Sequence, residues 1–159
     1  MKKLLLVTLL TISTSLFAQN SPKDDIAIIQ SVYGKSKKEI VGAYLNLQDP
    51  QAKAFWTVYD AYEAERKVLA QKKMQIIVDY ADNYSNLTNE SADALAKASI
   101  ENSLDHDKLF AKYYGRTKKA VGAINAAKFI QLEVYMQTTI RSEIQDAIPF
   151  IGELENTKL

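Results

Sequence analysis

The sequence predicts an all-α fold of four helices built around a long antiparallel helical hairpin, and three observations carry that expectation. From Gln51 to Tyr84 the chain contains neither glycine nor proline. Its aromatic and apolar residues recur there at three- and four-residue steps, the period of one helix face. The five glycines and three prolines fall mostly where a helical reading wants breaks.

The first helix is expected from Ser21-Pro22, a cap followed by proline in the first turn, with Asp24 and Asp25 near the positive end of the helix dipole. It runs to about Tyr44 with an apolar stripe of Ile26, Ile29, Val32 or Tyr33, Ile40 and Tyr44, weakened in the middle by Gly34 and the polar run Lys35 to Lys38. Asp49-Pro50 repeats the start signal for the second helix, residues 50–84. Along it Phe55, Tyr59 or Val58, Tyr62, Leu69, Ile76 and Tyr80 share a face, with Arg66 and Lys73 filling the two gaps in the rhythm. Thr88 caps the third helix, which extends to about Val121. The third matches the second in length, so the short turn between them makes a hairpin. Gly122 closes the third helix, and Asn125 caps the fourth, with Ile124 and Phe129 at the spacing of a hydrophobic staple. Its buried stripe is Phe129, Leu132, Met136, Ile140, Ile144 and Ala147, and Pro149 ends it.

Residues 1–18 read as a secretory signal peptide: Lys2 and Lys3, an apolar run from Leu4 to Leu10, and Ala18 as the small residue before cleavage. That run is too short to span a bilayer, which takes roughly 20 apolar residues. No membrane span is expected in the mature chain, residues 19–159, which is the size of one domain. Removing residues 1–18 takes away two lysines and no acid, leaving 18 basic groups against 19 acidic ones, so nucleic acid is not an expected partner. An exported chain without cysteine depends on packing alone for stability.

Two segments carry a family resemblance. Leu47-Gln48-Asp49-Pro50-Gln51 before the second helix, and Ile124-Asn125-Ala126-Ala127-Lys128 before the last, resemble the two LTxxQ motifs that open helices in the Spy/CpxP-like periplasmic proteins. At the first, Leu47 and Gln51 match while Gln48 stands in place of Thr; at the second, Ile124, Asn125 and Lys128 are all substitutions. The resemblance spans about residues 24 to 150. It implies a cradle-shaped, dimeric four-helix protein of the periplasm with no nucleotide or metal cofactor. Such a protein binds unfolded or partly folded clients without ATP, or docks on the periplasmic domain of a sensor protein. Relatives in the same broad group include metal-responsive proteins with histidine-rich segments.

The residues themselves are compatible with client binding. Trp56, Tyr59 and Tyr62 offer apolar contact, and Arg66, Lys73 and Arg116 supply charge, among other lysines interleaved with aromatics on the hairpin. The plainer alternative is that the aromatics are core and the lysines a solvated face. A purely structural seam would prefer Leu or Ile where Arg66 and Lys73 stand. A third option is a stress-induced envelope protein whose main interaction is with its own copy; the long apolar stripe also calls for a homodimer. His106 is the one histidine, and its neighbours Asp105 and Asp107 point about 100° away around a helix, which leaves no three- or four-ligand metal site. No nucleophile, base and orienting group share a spacing that would make an enzyme. Glu63 with Lys67 reads as an exposed ion pair one helical turn apart.

Overall fold

The computed structural model describes residues 25–151, so the expected signal peptide and the Ser21-Pro22 helix start lie outside the described residues. Of these residues 88% are helical and none is in a strand. Five α-helices follow one another: α1 (Asp25–Tyr33), α2 (Lys37–Leu45), α3 (Gln51–Asn83), α4 (Asn89–Val121) and α5 (Ala123–Ala147). A single 3-10 turn, Tyr84–Asn86, joins α3 to α4.

The expected first helix is two. Gly34 takes a left-handed φ of +64° while its N–H still bonds to Gln30 O, which closes α1 where a side chain would be strained. Ser36 then opens α2 with a reciprocal capping box. Its hydroxyl accepts from the Glu39 N–H, and the Glu39 carboxylate accepts from the Ser36 N–H at 2.8 Å. Each half chooses its own buried face, so Ile28, Ile29, Val41 and Leu45 are buried while Ile26 and Tyr44 are exposed.

The long helices start in three different ways. Thr88 is the N-cap of α4, with a capping box to Ser91. Asp49 caps nothing: Pro50 occupies the N-cap of α3, and the Ala52 N–H goes instead to the backbone carbonyl of Gln48. Asn125 does not cap α5 either, because α5 has already begun at Ala123 behind Gly122. Its side-chain amide donates to Val121 O and ties down the end of α4. Ile124 is 76% exposed and makes no staple with the fully buried Phe129.

Glu65 of α3 meets Lys112 of α4, and Lys72 meets Glu101, so numbers fall along α4 as they rise along α3. Helix α5 runs the same way as α3. Phe129 packs on Phe55, Tyr59 and Tyr62 near the start, and the Tyr80 hydroxyl donates to Pro149 O at the far end. The segment α1–α2 lies over α3 and α5: Gly42 is where a side chain would touch Trp56, and the Tyr33 and Thr139 hydroxyls are 2.9 Å apart. Along α3 the buried side chains include Phe55, Arg66 and Ile77 rather than Ile76. These three are eleven residues apart, a spacing that drifts by about 20° per repeat in the sense opposite to the seven-residue rhythm of Phe55, Tyr62, Leu69 and Ile76, so the two stripes diverge and Ile77 takes the core side.

Candidate functional site

The core of the bundle contains a charged cluster. Arg66, 2% exposed, places Nη1 2.9 Å from Asp25 Oδ2 of α1 and Nε 2.9 Å from Glu63 Oε1. Lys37 of α2 reaches both Glu63 and Glu133, and the Tyr62 hydroxyl donates to Glu133 Oε2 at 2.6 Å. Glu133 is completely buried on α5. Burial pushes its carboxyl above the usual range in spite of Lys37. For Glu63 burial also opposes ionisation, but Lys37 and Arg66 outweigh it and hold the carboxyl below the usual range. Removing any one partner leaves the others charged in a dry place, so the cluster ties α1 and α2 to the bundle.

Most of the side chains expected to meet a partner belong to this interior. Tyr62 is fully buried and Tyr59 nearly so, and both pack on Phe129. Trp56 is half-buried under α2, with Lys38 Nζ 5.0 Å above its ring. Lys73 is half-buried, and burial lowers its pKa. Arg116 alone of the six is on the surface, its guanidinium 5.0 Å above the Tyr113 ring. Glu63 pairs with Lys37 and Arg66 rather than with Lys67. The expectation missed Asp25, Lys37 and Glu133, although the spacing Phe129, Glu133, Met136, Ile140, Ile144 sets Glu133 on the centre of the α5 stripe.

Below the cluster stands His106 of α4, buried, with neither ring nitrogen hydrogen-bonded among the described residues. Burial and the neighbouring Lys73 lower its pKa from 6.5 to about 4; Arg66 of α3 and Arg141 of α5 act in the same direction, and Asp25 of α1 opposes them. The folded state therefore refuses a proton that the unfolded chain accepts between about pH 6.5 and 4, and this stability, fully present above pH 6.5, is lost as the pH falls through that window. The loss is at most about 3 kcal/mol. Melting His106→Leu beside the parent at pH 7.5 and pH 4.5 checks it: the parent should lose more of its melting temperature on acidification than the variant. No group of three or more metal-ligating side chains occurs among the described residues, and none of their helices is long and apolar enough to cross a membrane.

On the flank of α3 turned away from α1 and α2, a cleft of about 370 Å³ runs between α3 and α4. Val68, Leu69 and Leu109 give it apolar lining, and Glu65, Asp105, Lys108 and Lys112 line it with charge. Helical spacing sets Leu104 one turn before Lys108 and Ile100 one turn before Leu104, each turned further from the cleft onto the outer side of α4, and Arg116 one turn beyond Lys112. Val68, Ile100 and Leu104 are 62%, 61% and 51% exposed. Branched aliphatic side chains among charges of both signs make a surface suited to apolar segments with little regard to their sequence. No protein-family model, curated protein or solved structure matches the chain.

Proposed function

We propose that the protein is an exported, ATP-independent binding protein of the Spy/CpxP-like kind, which holds non-native segments of other proteins against the outer face of α3 and α4. The observation that carries this reading is the group of exposed aliphatic residues Val68, Leu104 and Ile100 on the outer side of α3 and α4, next to a cleft that Val68, Leu69, Lys108, Leu109 and Lys112 help to line. In the same reading α3 and α4 are the long hairpin of a cradle that works as a homodimer. The aromatic residues Trp56, Tyr59 and Tyr62 then stiffen the cradle from within, and the basic side chains of the cleft attract acidic, partly unfolded chains before apolar contact holds them.

Light scattering from several unrelated aggregating clients, with the protein at equimolar ratio and no nucleotide, tests the proposal. Aggregation should slow for each of them, and Val68→Asp with Leu104→Asp should abolish the effect while helicity and melting stay as in the parent. Protection of one client alone would turn the reading toward a regulator with a single cognate partner, such as a sensor domain. Protection of none would refute it.

A further inference from the structure

Charge is sorted along the length of the bundle. Residues 74–107, the far parts of α3 and α4 and the turn between them, carry seven carboxylates and only Lys97 as a cation. Residues 108–132 carry Lys108, Lys112, Arg116, Lys118, Lys119 and Lys128 and no carboxylate at all. Because α4 returns along α3 and α5 starts where α4 stops, Lys118, Lys119 and Lys128 collect at the end of the bundle where α3 begins, and Lys53 joins them there, while Lys108 and Lys112 lie further along, paired with Asp105 and Glu65. Lys53, Lys118, Lys119 and Lys128 are all exposed and make no ion pair among the described residues. At the tip of that end, in the first turn of α5, is Ile124, 76% exposed, with Lys118 and Lys119 before it and Lys128 one turn after it.

We propose that this basic end docks on an anionic lipid surface, with Ile124 entering the headgroup layer and the lysines around it reaching lipid phosphates. The inference does not depend on the client-binding reading, which uses another face. Uncompensated cations match the negative potential of an anionic leaflet, and that attraction acts within a Debye length of about 8 Å. Asp49 is the one carboxylate beside the start of α3, whereas Asp79, Asp82, Glu90 and Asp93 lie roughly 40 Å or more away along the 33-residue helices, too distant to cancel the attraction, and turn the molecule end-on. The tip carries the side chains that suit lipid rather than nucleic acid. A branched aliphatic residue has no base to stack on but buries well at the acyl boundary, and lysine stems lie along apolar surface while their charges stay at headgroup level.

Co-sedimentation with vesicles tests this, using the protein purified in its natural processed form. Vesicles of phosphatidylcholine alone are compared with vesicles containing about one-third phosphatidylglycerol, at low and high salt. Binding should require the anionic lipid and fall steeply with salt. Reversing Lys118, Lys119 and Lys128 to Glu should weaken it by about 100-fold or more, at about fivefold for each lysine charge removed. Ile124→Ser should weaken it several-fold and leave the salt dependence unchanged. All four positions are exposed, so circular dichroism and melting should not change. Equal binding to neutral vesicles, no binding to anionic ones at low salt, or a triple variant that binds like the parent would each overturn the proposal. So would a duplex RNA of matched charge that binds tighter than the vesicles and is indifferent to Ile124→Ser.

Discussion

Arg66→Ala should destabilise the protein by about 3–5 kcal/mol, because it strands Asp25 and half of the partnership of Glu63 in the interior. That is a large share of the roughly 5–15 kcal/mol that holds a domain together. The loss follows from the geometry: one guanidinium serves Asp25 with Nη1 and both oxygens of Glu63 with Nε and Nη2. Burial disfavours the charge on Arg66, but Glu63 and Asp25 more than restore it, so the side chain stays ionised at every accessible pH. The size of the effect should depend on Asp25. Arg66→Met combined with Asp25→Leu removes charge from both sides of the α1–α3 contact, and such apolar replacements of buried pairs are close to neutral or better. Urea unfolding of the single and double variants measures this as a coupling energy, with Asp25→Leu completing the cycle. Lys38→Ala, by contrast, breaks an exposed pair with Asp60 and a contact over the Trp56 ring, and should cost only about 1 kcal/mol.

Phe129→Ala should cost a further class of stability, about 3–5 kcal/mol, through loss of packing rather than of charge. Its ring centroid lies 5.3 Å from that of Phe55, 5.3 Å from that of Tyr62 and 6.0 Å from that of Tyr59, with edge-to-face geometry in each case. One side chain of α5 thereby closes the aromatic ladder of α3, and three rings each lose one of their ring contacts at once when it is cut back. Helices of this length cannot close onto the gap without shifting along their axes, so the cavity stays largely open. The near-UV dichroism of the tyrosines should weaken along with the urea midpoint. Tyr135→Ala on the exposed face of the same helix, in ring contact with Tyr33 alone, should cost far less.

The parts of this fold legible in the sequence are those set by local chemistry. A capping box at Thr88, a glycine at 122 with φ of +84° and an unbroken run after Pro50 fix the ends of the long helices within a residue or two. The split of the first helix was equally local, because Ser36 and Glu39 spell a capping box directly after Gly34, and a stripe drawn through both sides of the break hid it. Asp49 and Asn125 misled for the opposite reason. Each has the right side chain at the right spacing, but the backbone carbonyl of Gln48 and the earlier start at Gly122 had already met the needs of the first turn. The charged cluster depends on which helix faces which, so Arg66 read as surface until Asp25 lay beside it, 41 residues away. The cleft at Val68 and Leu109, with Leu104 exposed beside it, is hidden for a related reason: isolated aliphatic residues among charges look ordinary until two helices bring them together.

Site-directed photo-crosslinking tests most directly the proposal that non-native proteins are held on the outer face of α3 and α4. A photoreactive phenylalanine analogue is placed in turn at Leu104, at Ile100 and, on the opposite flank, at the exposed Ile26 of α1, and the protein is mixed with an aggregating client. Clients should be captured at positions 104 and 100 and not at 26, and Val68→Asp should suppress the capture. Capture at position 26 with none at 104 or 100 would contradict it, and would move the binding surface to the α1–α2 side.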